Sequence, residues 1–531
     1  MTKTVVIDPV TRIEGELSLE LSVDETTNTV ASAKATGSLF RGFETIVLNR
    51  DPRDAAPILS AICGVCYCDH HLASVRAVEN AAGMTRYSTD YSTEQTSIPK
   101  NGILARNLVS GADWAYSSMV HILALAGPDY HLYGLLESLG PAYGLSNYAD
   151  LLRHFIVPAQ QYMNQTITLW GGKTPHPRAS IPGGNPVRPT TEVIEQTRTK
   201  ISQARALTDV IVPLVWNYLT ANAAQLAAIG HGPGNFISMG AFLDPTTSSG
   251  TAKMPLLIPR GVITYPSTSP EAFDPSRITE DTSYSWYRQP TPEAVIGEQP
   301  PVPDMSNSAA YTWAKAPSYD GKICESGPLA RECVSGIIPK LGSVIHDVVS
   351  EVPGLPLSPK SSAFDRMTAE ALELLALVGS NNATSNLQVL GQPLNLSPVD
   401  VLNKLGLPAA GLLETWLDEM ELGEPSYTPS YQNPGDAEGI GIWEAPRGSL
   451  LHWVSIKNSK VARYQVLAPT TWNASPGGPL EGALVGTPVG QTGTNDDFRP
   501  TAYVVRSFNL CMACAVHAID ARGNDRYLRM G

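Results

Sequence analysis

The chain has 531 residues, enough for three or four domains of ordinary size or for one large fold with insertions. Charged residues are only 16% of it, and glycine (44) with proline (43) is as numerous as the charged side chains (37 basic, 50 acidic), which excludes disorder and describes a loop-rich chain with much buried surface. A net charge of −13 without a Lys/Arg run excludes nucleic acid as the default partner, and with no stretch of ~18 uninterrupted apolar residues and no signal-peptide core at Met1 to Val6, neither a transmembrane segment nor a signal peptide is expected.

In chain order, Leu17, Leu19, Leu21 and Val23 alternate with polar residues, and Asp24 to Asn28 supplies turn chemistry before Val30, which predicts a β-hairpin. Asp54 to Ala82 and Pro99 to Leu125 are rich in Ala, Leu and Val and predict helices of a bundle. Thr190 to Ile229 is the longest helical stretch, and Pro213 inside it predicts two helices or one kinked helix. Tyr265 to Ser308 keeps no periodicity and reads as a long ordered surface loop that buries Trp286 and Tyr287. A helical stretch follows around Pro398 to Leu422. Leu450 to Ile456 and Val461 to Val466 then flank Lys457-Asn458-Ser459-Lys460 as a second hairpin. No internal repeat or linker is evident. The expectation is a mainly α (α+β) fold, a large helical core with small peripheral β-hairpins and sheets, in a single domain over 1–531.

Seven cysteines are too few for a disulfide scaffold in a chain of this length, but four of them form two C-x-x-C pairs, Cys63/Cys66 and Cys511/Cys514, separated by most of the chain. Together they can supply four soft thiolate ligands to zinc, an iron–sulfur centre or another thiophilic metal. A structural zinc site normally has its pairs 15 to 20 residues apart, whereas this one would join N- and C-terminal segments through the core. Three readings stay open on spacing alone: structural zinc, two unrelated thiol pairs, and a buried catalytic metal. His70 and His517 follow the second cysteine of each pair by four and three residues, on the cysteine's own face if the segments are helical, where they could donate to a sulfur or bind a second metal.

These residues belong to a longer series of motifs. Asp8-Pro-Val-Thr-Arg-Ile-Glu-Gly15, Phe40-Arg-Gly-Phe-Glu44, Arg50-Asp-Pro-Arg-Asp54, Ile62-Cys-Gly-Val-Cys66, Ser74-Val-Arg-Ala-Val-Glu-Asn80, Gly171-Gly-Lys-Thr-Pro-His-Pro177, Glu444-Ala-Pro-Arg-Gly448, Pro469-Thr-Thr-Trp-Asn473 and Cys511-Met-Ala-Cys-Ala-Val-His517 follow one another in this order. With them the chain resembles, over nearly its full length, the large catalytic subunit of nickel–iron hydrogenases of the respiratory uptake type.

The resemblance implies a nickel ion held by all four thiolates, with Cys63 and Cys511 terminal and Cys66 and Cys514 bridging to an iron that carries carbon monoxide and cyanide. It implies heterolytic splitting of H2, with a terminal thiolate taking the proton. Glu14 matches the proton-relay glutamate beside a terminal cysteine, and a buried carboxyl is the right chemical type. Arg447 matches the arginine over the cluster that hydrogen-bonds a cyanide. Thr470, after Pro469, matches the hydroxyl donor to the other cyanide, and His70 falls among the cofactor-binding positions. Glu44 and His517, with a main-chain carbonyl near Val466, match the ligands of a magnesium or similar divalent cation. An iron–sulfur small subunit is the implied electron partner, because no ferredoxin-type cysteine set remains. The implied compartment is cytoplasmic or exported together with that subunit. A maturation endopeptidase would remove 518–531, leaving His517 as the end of the active chain.

The pattern is broken at Ala61, where an arginine usually precedes Cys63 by two, at Asn509-Leu510, in place of Asp-Pro, and at Ser117, in place of the aspartate of a His-Asp-His stretch. Two carboxylates and one cation near the metal are thereby missing, and such groups tune metal electronics and proton delivery. Cys324 and Cys333 are expected to pack; Cys68 lies close enough to the cluster to be a redox or a packing neighbour. The competing functions are a non-catalytic subunit of a respiratory complex, related to the large subunits of complex I, which lack the cysteines, and a structural tetrathiolate zinc protein.

Overall fold

The computed structural model describes residues 1–129, 139–246, 253–288, 294–295, 302–337, 341, 361–389, 392–492 and 495–515. The expected N-terminal hairpin is there as β2 (Leu17–Asp24) and β3 (Thr29–Gly37), with β1 (Thr2–Ile7) added antiparallel to β2 as a third strand. Leu17, Leu19, Leu21 and Val23 all point inward, as a period of two requires. The chain then enters α1 (Pro52–Leu59), whose N-cap Asp51 accepts from Arg53 N, and α2 (Tyr67–Ala81).

Next come α3 (Lys100–Val120), α4 (Val157–Gly171) and α5 (Thr191–Ala221). Pro213 does not divide α5, which runs through 31 residues. The proline lacks the N–H that would bond the Asp209 carbonyl, and Asn382 Nδ2 donates to that carbonyl at 3.2 Å instead. After β4 (Phe236–Leu243) and β5 (Met254–Ile263) follow α6 (Pro328–Val334), α7 (Ala363–Val378, begun by a Ser362/Asp365 capping box) and α8 (Gly411–Asp418). Helices α3, α4, α5, α7 and α8 pack on one another as the expected bundle. The segment read as one surface loop holds a short strand, Ile278–Asp281; Tyr287 is buried and Trp286 stands edge-on to Trp313. Residues 289–293 and 296–301 of it lie outside the described residues.

The second hairpin is present as β7 (Gly448–Lys457) and β8 (Lys460–Leu467), joined antiparallel to β6 (Ala437–Ala445). The expectation that the sheets are peripheral is wrong for this one. Every residue of β7 except Lys457 is buried, because α2 covers the sheet. The approach is so close that a Cβ at Gly441 would stand 1.9 Å from Ala73 O, and one at Gly439 2.1 Å from Ala77 O. Leu450, Leu451, Val454 and Ile456 are buried there, each contributing roughly 1.5–3 kcal/mol. Helix outweighs strand, but a sheet stands at the centre and holds α2, and with it the first cysteine pair, in place. Three short elements complete the site: α9 (Pro469–Asn473), α10 (Arg499–Ser507) and α11 (Met512–Ala515). Among the described residues no helix is long and apolar enough to cross a membrane.

Candidate metal centre

Cys63 closes the short turn Ser60–Ile62 after α1, and Cys66 is the N-cap of α2. The amides of Val65 and Cys66 both donate to Cys63 Sγ, at 3.2 and 3.1 Å, so the loop is folded around that sulfur. The second pair is held from elsewhere in the chain. Glu14 N donates to Leu510 O (3.3 Å) and Met512 N to Glu14 O (2.7 Å), making a parallel bridge between Glu14 and Cys511. Cys511 N donates to Thr470 Oγ1 at 2.8 Å. Gly15 has φ +80°, and a Cβ there would lie 2.4 Å from Ala513 N, so glycine is required where the two chain ends meet.

The two turns thus bring all four cysteines together. Their Sγ atoms lie within 4.8 Å of one another and all four residues are buried. Cys63 faces Cys511 at 3.3 Å, Cys66 faces Cys514 at 3.2 Å, and Cys511 and Cys514 are 2.8 Å apart. Burial works against an ionised thiol at Cys63, but thiol donors from Cys511, Cys514 and Cys66, with the Arg447 cation, outweigh it and hold Cys63 well below the ordinary thiol range. Burial pushes Cys66, Cys514 and Cys511 up. Four thiols in one dry pocket cannot ionise together without a cation to share.

Of the other expected site residues, Arg447, Thr470, Pro469, Glu14 and His70 fall around this cluster. Arg447 is buried, its charge is felt by all four cysteines, and its Nε and Nη1 have no hydrogen-bond partner among the described residues. A guanidinium with two unsatisfied donors, buried beside thiols, is suited to ligand atoms that bear lone pairs. Thr470, just after Pro469 at the start of α9, accepts from the Cys511 amide and so keeps its own hydroxyl proton to give. Glu14 is half-buried, with Oε1 3.4 Å from a Cβ built on Gly64; burial and the neighbouring Cys63 raise its pKa against the lowering by Arg447 and Arg41. His70 is fully buried and pairs through Nδ1 with His452 Nε2 at 3.1 Å, and His452 reaches Tyr464 Oη at 3.0 Å. Burial takes His70 down to about 4, so it is neutral.

Glu44 is buried away from the thiols. Val466 N donates to its Oε1 at 2.8 Å, and burial lifts its pKa to about 7 in spite of the buried Lys315, which pairs with Glu280 at 2.8 Å. A buried, partly compensated carboxylate of this kind suits a hard cation. His517 and 518–531 lie outside the described residues.

Several residues around the cluster hold places that the sequence motifs do not assign. Arg41 Nη2 donates to Ile62 O and Ala513 O and Nη1 reaches Ala61 O at 3.5 Å, so one cation ties both cysteine turns together. Asn509 Nδ2 donates to Glu370 Oε1 at 2.8 Å, and the other oxygen of Glu370 meets His121 Nδ1 at 2.6 Å. The Ser117 hydroxyl is buried with no partner among the described residues; one turn earlier on the same helix stands Asp113, also buried. A cation and two carboxylates therefore stand close to the three positions where the motifs lack them. The available signal was a polar residue inside an otherwise apolar helix, which does not say what it faces. Cys68 is buried and its thiol is pushed up by burial and by Asp113 and Asp69; Cys324 and Cys333 pack in or against hydrophobic clusters.

A buried tetrathiolate that closes the two ends of a large chain onto each other defines a metalloenzyme centre set inside the fold. The family model for nickel-dependent hydrogenase matches residues 41–132, 141–403 and 412–517. The periplasmic [NiFeSe] hydrogenase large subunit of Desulfomicrobium baculatum is 30% identical over 98% of this chain and 96% of its own length. The hydrogenase-2 large chain of Escherichia coli K12 is 29% identical over 99% of each. Among solved structures, the Ni-Fe-Se hydrogenase of D. vulgaris Hildenborough in its as-isolated oxidized state aligns with a TM-score of 0.75 at 30% identity, covering 97% of this chain and 100% of that one. The chain belongs to the nickel-dependent hydrogenase family, as a large, catalytic subunit, and its cluster of four cysteines fits the nickel site of that family. It is a hydrogen-oxidising oxidoreductase; the complex I-like and structural zinc readings are not favoured.

Proposed function

We propose that this chain splits H2 heterolytically at a nickel–iron centre that Cys63, Cys66, Cys511 and Cys514 would hold, in a single large-subunit domain. The observation that carries the reading is the cluster of four buried sulfurs within 4.8 Å beneath an arginine with unsatisfied donors. When bound, the centre supplies the Lewis acidity that polarises H2. Each thiol in the pocket is expected to give up its proton on loading.

Arg447 would hold one cyanide through N–H groups that have no partner among the described residues, and Thr470 the other through its hydroxyl, with Pro469 beside it; carbon monoxide would complete the iron's diatomic ligands. Glu14 is the first acceptor of the proton left on a terminal thiolate. Burial and the neighbouring Cys63 raise its proton affinity above that of a surface carboxylate, which suits it to take up a proton beside Gly64. His70, kept neutral, orients the first turn through His452. A magnesium or similar ion at Glu44, a main-chain carbonyl near Val466 and His517 would tie the C-terminal end to the core.

Hydrogenase large subunits pair with a small subunit, and an iron–sulfur partner is required here because Cys68, Cys324 and Cys333 do not form a cluster set. Export with that partner would place the pair at the membrane or in the periplasm. A maturation endopeptidase ends the active chain at His517, which an intact mass of the nickel-loaded protein including residues up to Gly531 would overturn. The deciding measurement for the whole reading is infrared spectroscopy in the carbon monoxide and cyanide region on the protein under H2, with metal analysis: bands with nickel and iron support it, and zinc without nickel refutes it.

A further inference from the structure

A second acidic group begins on the first turn of the helix that Cys66 caps and takes no part in the roles above. Asp69, on the first turn of α2, and Asp113, in the middle of α3, are both wholly buried. Asp69 is saturated with donors: Ser110 Oγ (2.6 Å) and Trp443 Nε1 (2.8 Å) give to Oδ1, and Trp114 Nε1 (3.1 Å) gives to Oδ2. Asp113 receives no donor at either oxygen among the described residues, and it stands on α3 between Ser110 and Trp114, the two residues of that helix that donate to Asp69.

Two ionised carboxylates cannot hydrogen-bond each other, and a buried carboxylate without donors is costly. The donor pattern decides where a single proton resides. Asp69, with three donors, is the carboxylate; Asp113, with none, is satisfied only as the acid, giving its proton to Asp69. We propose that Asp69 and Asp113 form a buried carboxylate–carboxylic acid pair that holds one proton beside the metal centre, and that Asp113 is a positioning acid whose protonation follows the charge on the thiolate cluster.

The surroundings couple the pair to that charge. Cys63 and Arg447 both act on Asp113, with opposite sign, while Tyr67 and Cys68 on the α2 side and Tyr116 on its own helix are the other titratable groups facing it. Arg331 acts on Asp69. Glu14 feels the same Cys63 and Arg447 from the N-terminal segment. Among the described residues no hydrogen bond joins either aspartate to a cysteine of the cluster. When negative charge on the thiolates falls, the Asp113 O–H bond is weakened and its proton is released, leaving two carboxylates; when the charge returns, a proton is taken up again. Only O–H bonds change, and no electron enters or leaves the pair. Burial and the nearby Asp69 charge raise Asp113 well above the ordinary carboxylic range, in agreement with the donor count.

The inference rests on the hydrogenase reading, and its test separates the two. In the purified, active heterodimer, infrared difference spectra between H2-reduced and oxidised states should show a protonated carboxylic acid C=O band that shifts in D2O. In Asp113→Asn, whose amide can still donate to Asp69, that band should vanish and the pH profile of H2 oxidation should lose one titration step, while nickel and iron content and the carbon monoxide band persist. Loss of the metals in the wild type would sink the hydrogenase reading; an unchanged acid band and pH profile in metal-loaded Asp113→Asn would sink this one. Ser110→Ala removes a donor from Asp69 without touching Asp113, and should move the band and the pH step; no movement also overturns the proposal, even if Asp113→Asn does not fold.

Discussion

The two cysteine turns carry the same C-x-x-C spacing and are built in opposite ways. Around Cys63 the support is local: the next two amides after Gly64 point at its sulfur, and Cys66 caps a helix that is pressed onto the central sheet. Around Cys511 it is remote: Glu14 lies 497 residues upstream in the bridge, Thr470 accepts the amide, and Arg41 binds the Ala513 carbonyl. The amides that face Cys63 come from the next residues along the chain and need no distant partner, whereas a turn held mainly by distant partners exists only once the fold has closed. The first half of the site is therefore expected to be formed before the metal arrives, and the second half to be completed by docking.

The sharpest way to break this comparison is to remove a ligand from the docked side. Cys511→Ser should abolish activity and nickel retention, since a hydroxyl is a hard and weakly acidic ligand, while the Tyr67–Ala81 helix stays protected in hydrogen exchange; retained nickel contradicts the ligand assignment. Glu14→Gln keeps the backbone bridge and removes only the carboxyl chemistry. Metals should stay, and H/D exchange and turnover should fall about 10²–10⁴-fold; wild-type exchange rates would take Glu14 out of the proton route.

Gly15→Ala attacks the docking itself. A left-handed backbone and a Cβ driven into the Ala513 amide should cost about 1–3 kcal/mol, read as weaker nickel retention with an unaltered first turn. The acid response should probe the other side. Burial holds His71 down to about 4 where it contacts Ser180 O through Nε2 at 2.7 Å, so below pH 6.5 the unfolded chain takes up a proton that the folded chain refuses. Stability from this group is complete above about pH 6.5 and falls as pH drops toward 4, by roughly 3 kcal/mol in all. His71→Gln should flatten that fall in thermal unfolding between pH 6.5 and 4.5; an equal fall in both proteins removes His71 as its source. The smallest effect is expected at Asn509→Asp. It replaces a donor to Glu370 by a like charge, and metal loading should persist while the centre's potential moves; identical potentials would make position 509 silent.

Much of the centre was legible because its ligands come in short motifs whose spacing has chemical meaning. The four cysteines could be named from their spacing, and Glu14, Arg447 and Thr470 from the family resemblance that the motifs carry; all of them converge. The groups that answer the missing arginine and aspartates could not. Arg41 reaches carbonyls, which leave no trace in side-chain identity, and Asp113 and Glu370 acquire their meaning from neighbours on other helices. The hairpins, the bundle helices and the apolar alternation of β2 were likewise readable, since each depends on nearest neighbours along the chain.

By itself the sequence determined the two thiol pairs and the element types, because thiol spacing, periodicity and turn chemistry are local properties, and its ordered motifs carried the resemblance to the family. Only the tertiary structure decided that the sheet of β6, β7 and β8 is central, that α5 runs unbroken through Pro213, and that Asp69 gathers three donors while Asp113 has none among the described residues. Each of those outcomes depends on what a distant segment offers: a helix laid over Gly439 and Gly441, an Asn382 amide for an orphaned carbonyl, three donors for one carboxylate and none for the other. Burial makes such pairings decisive, since a polar group out of reach of water must find its partner within the protein.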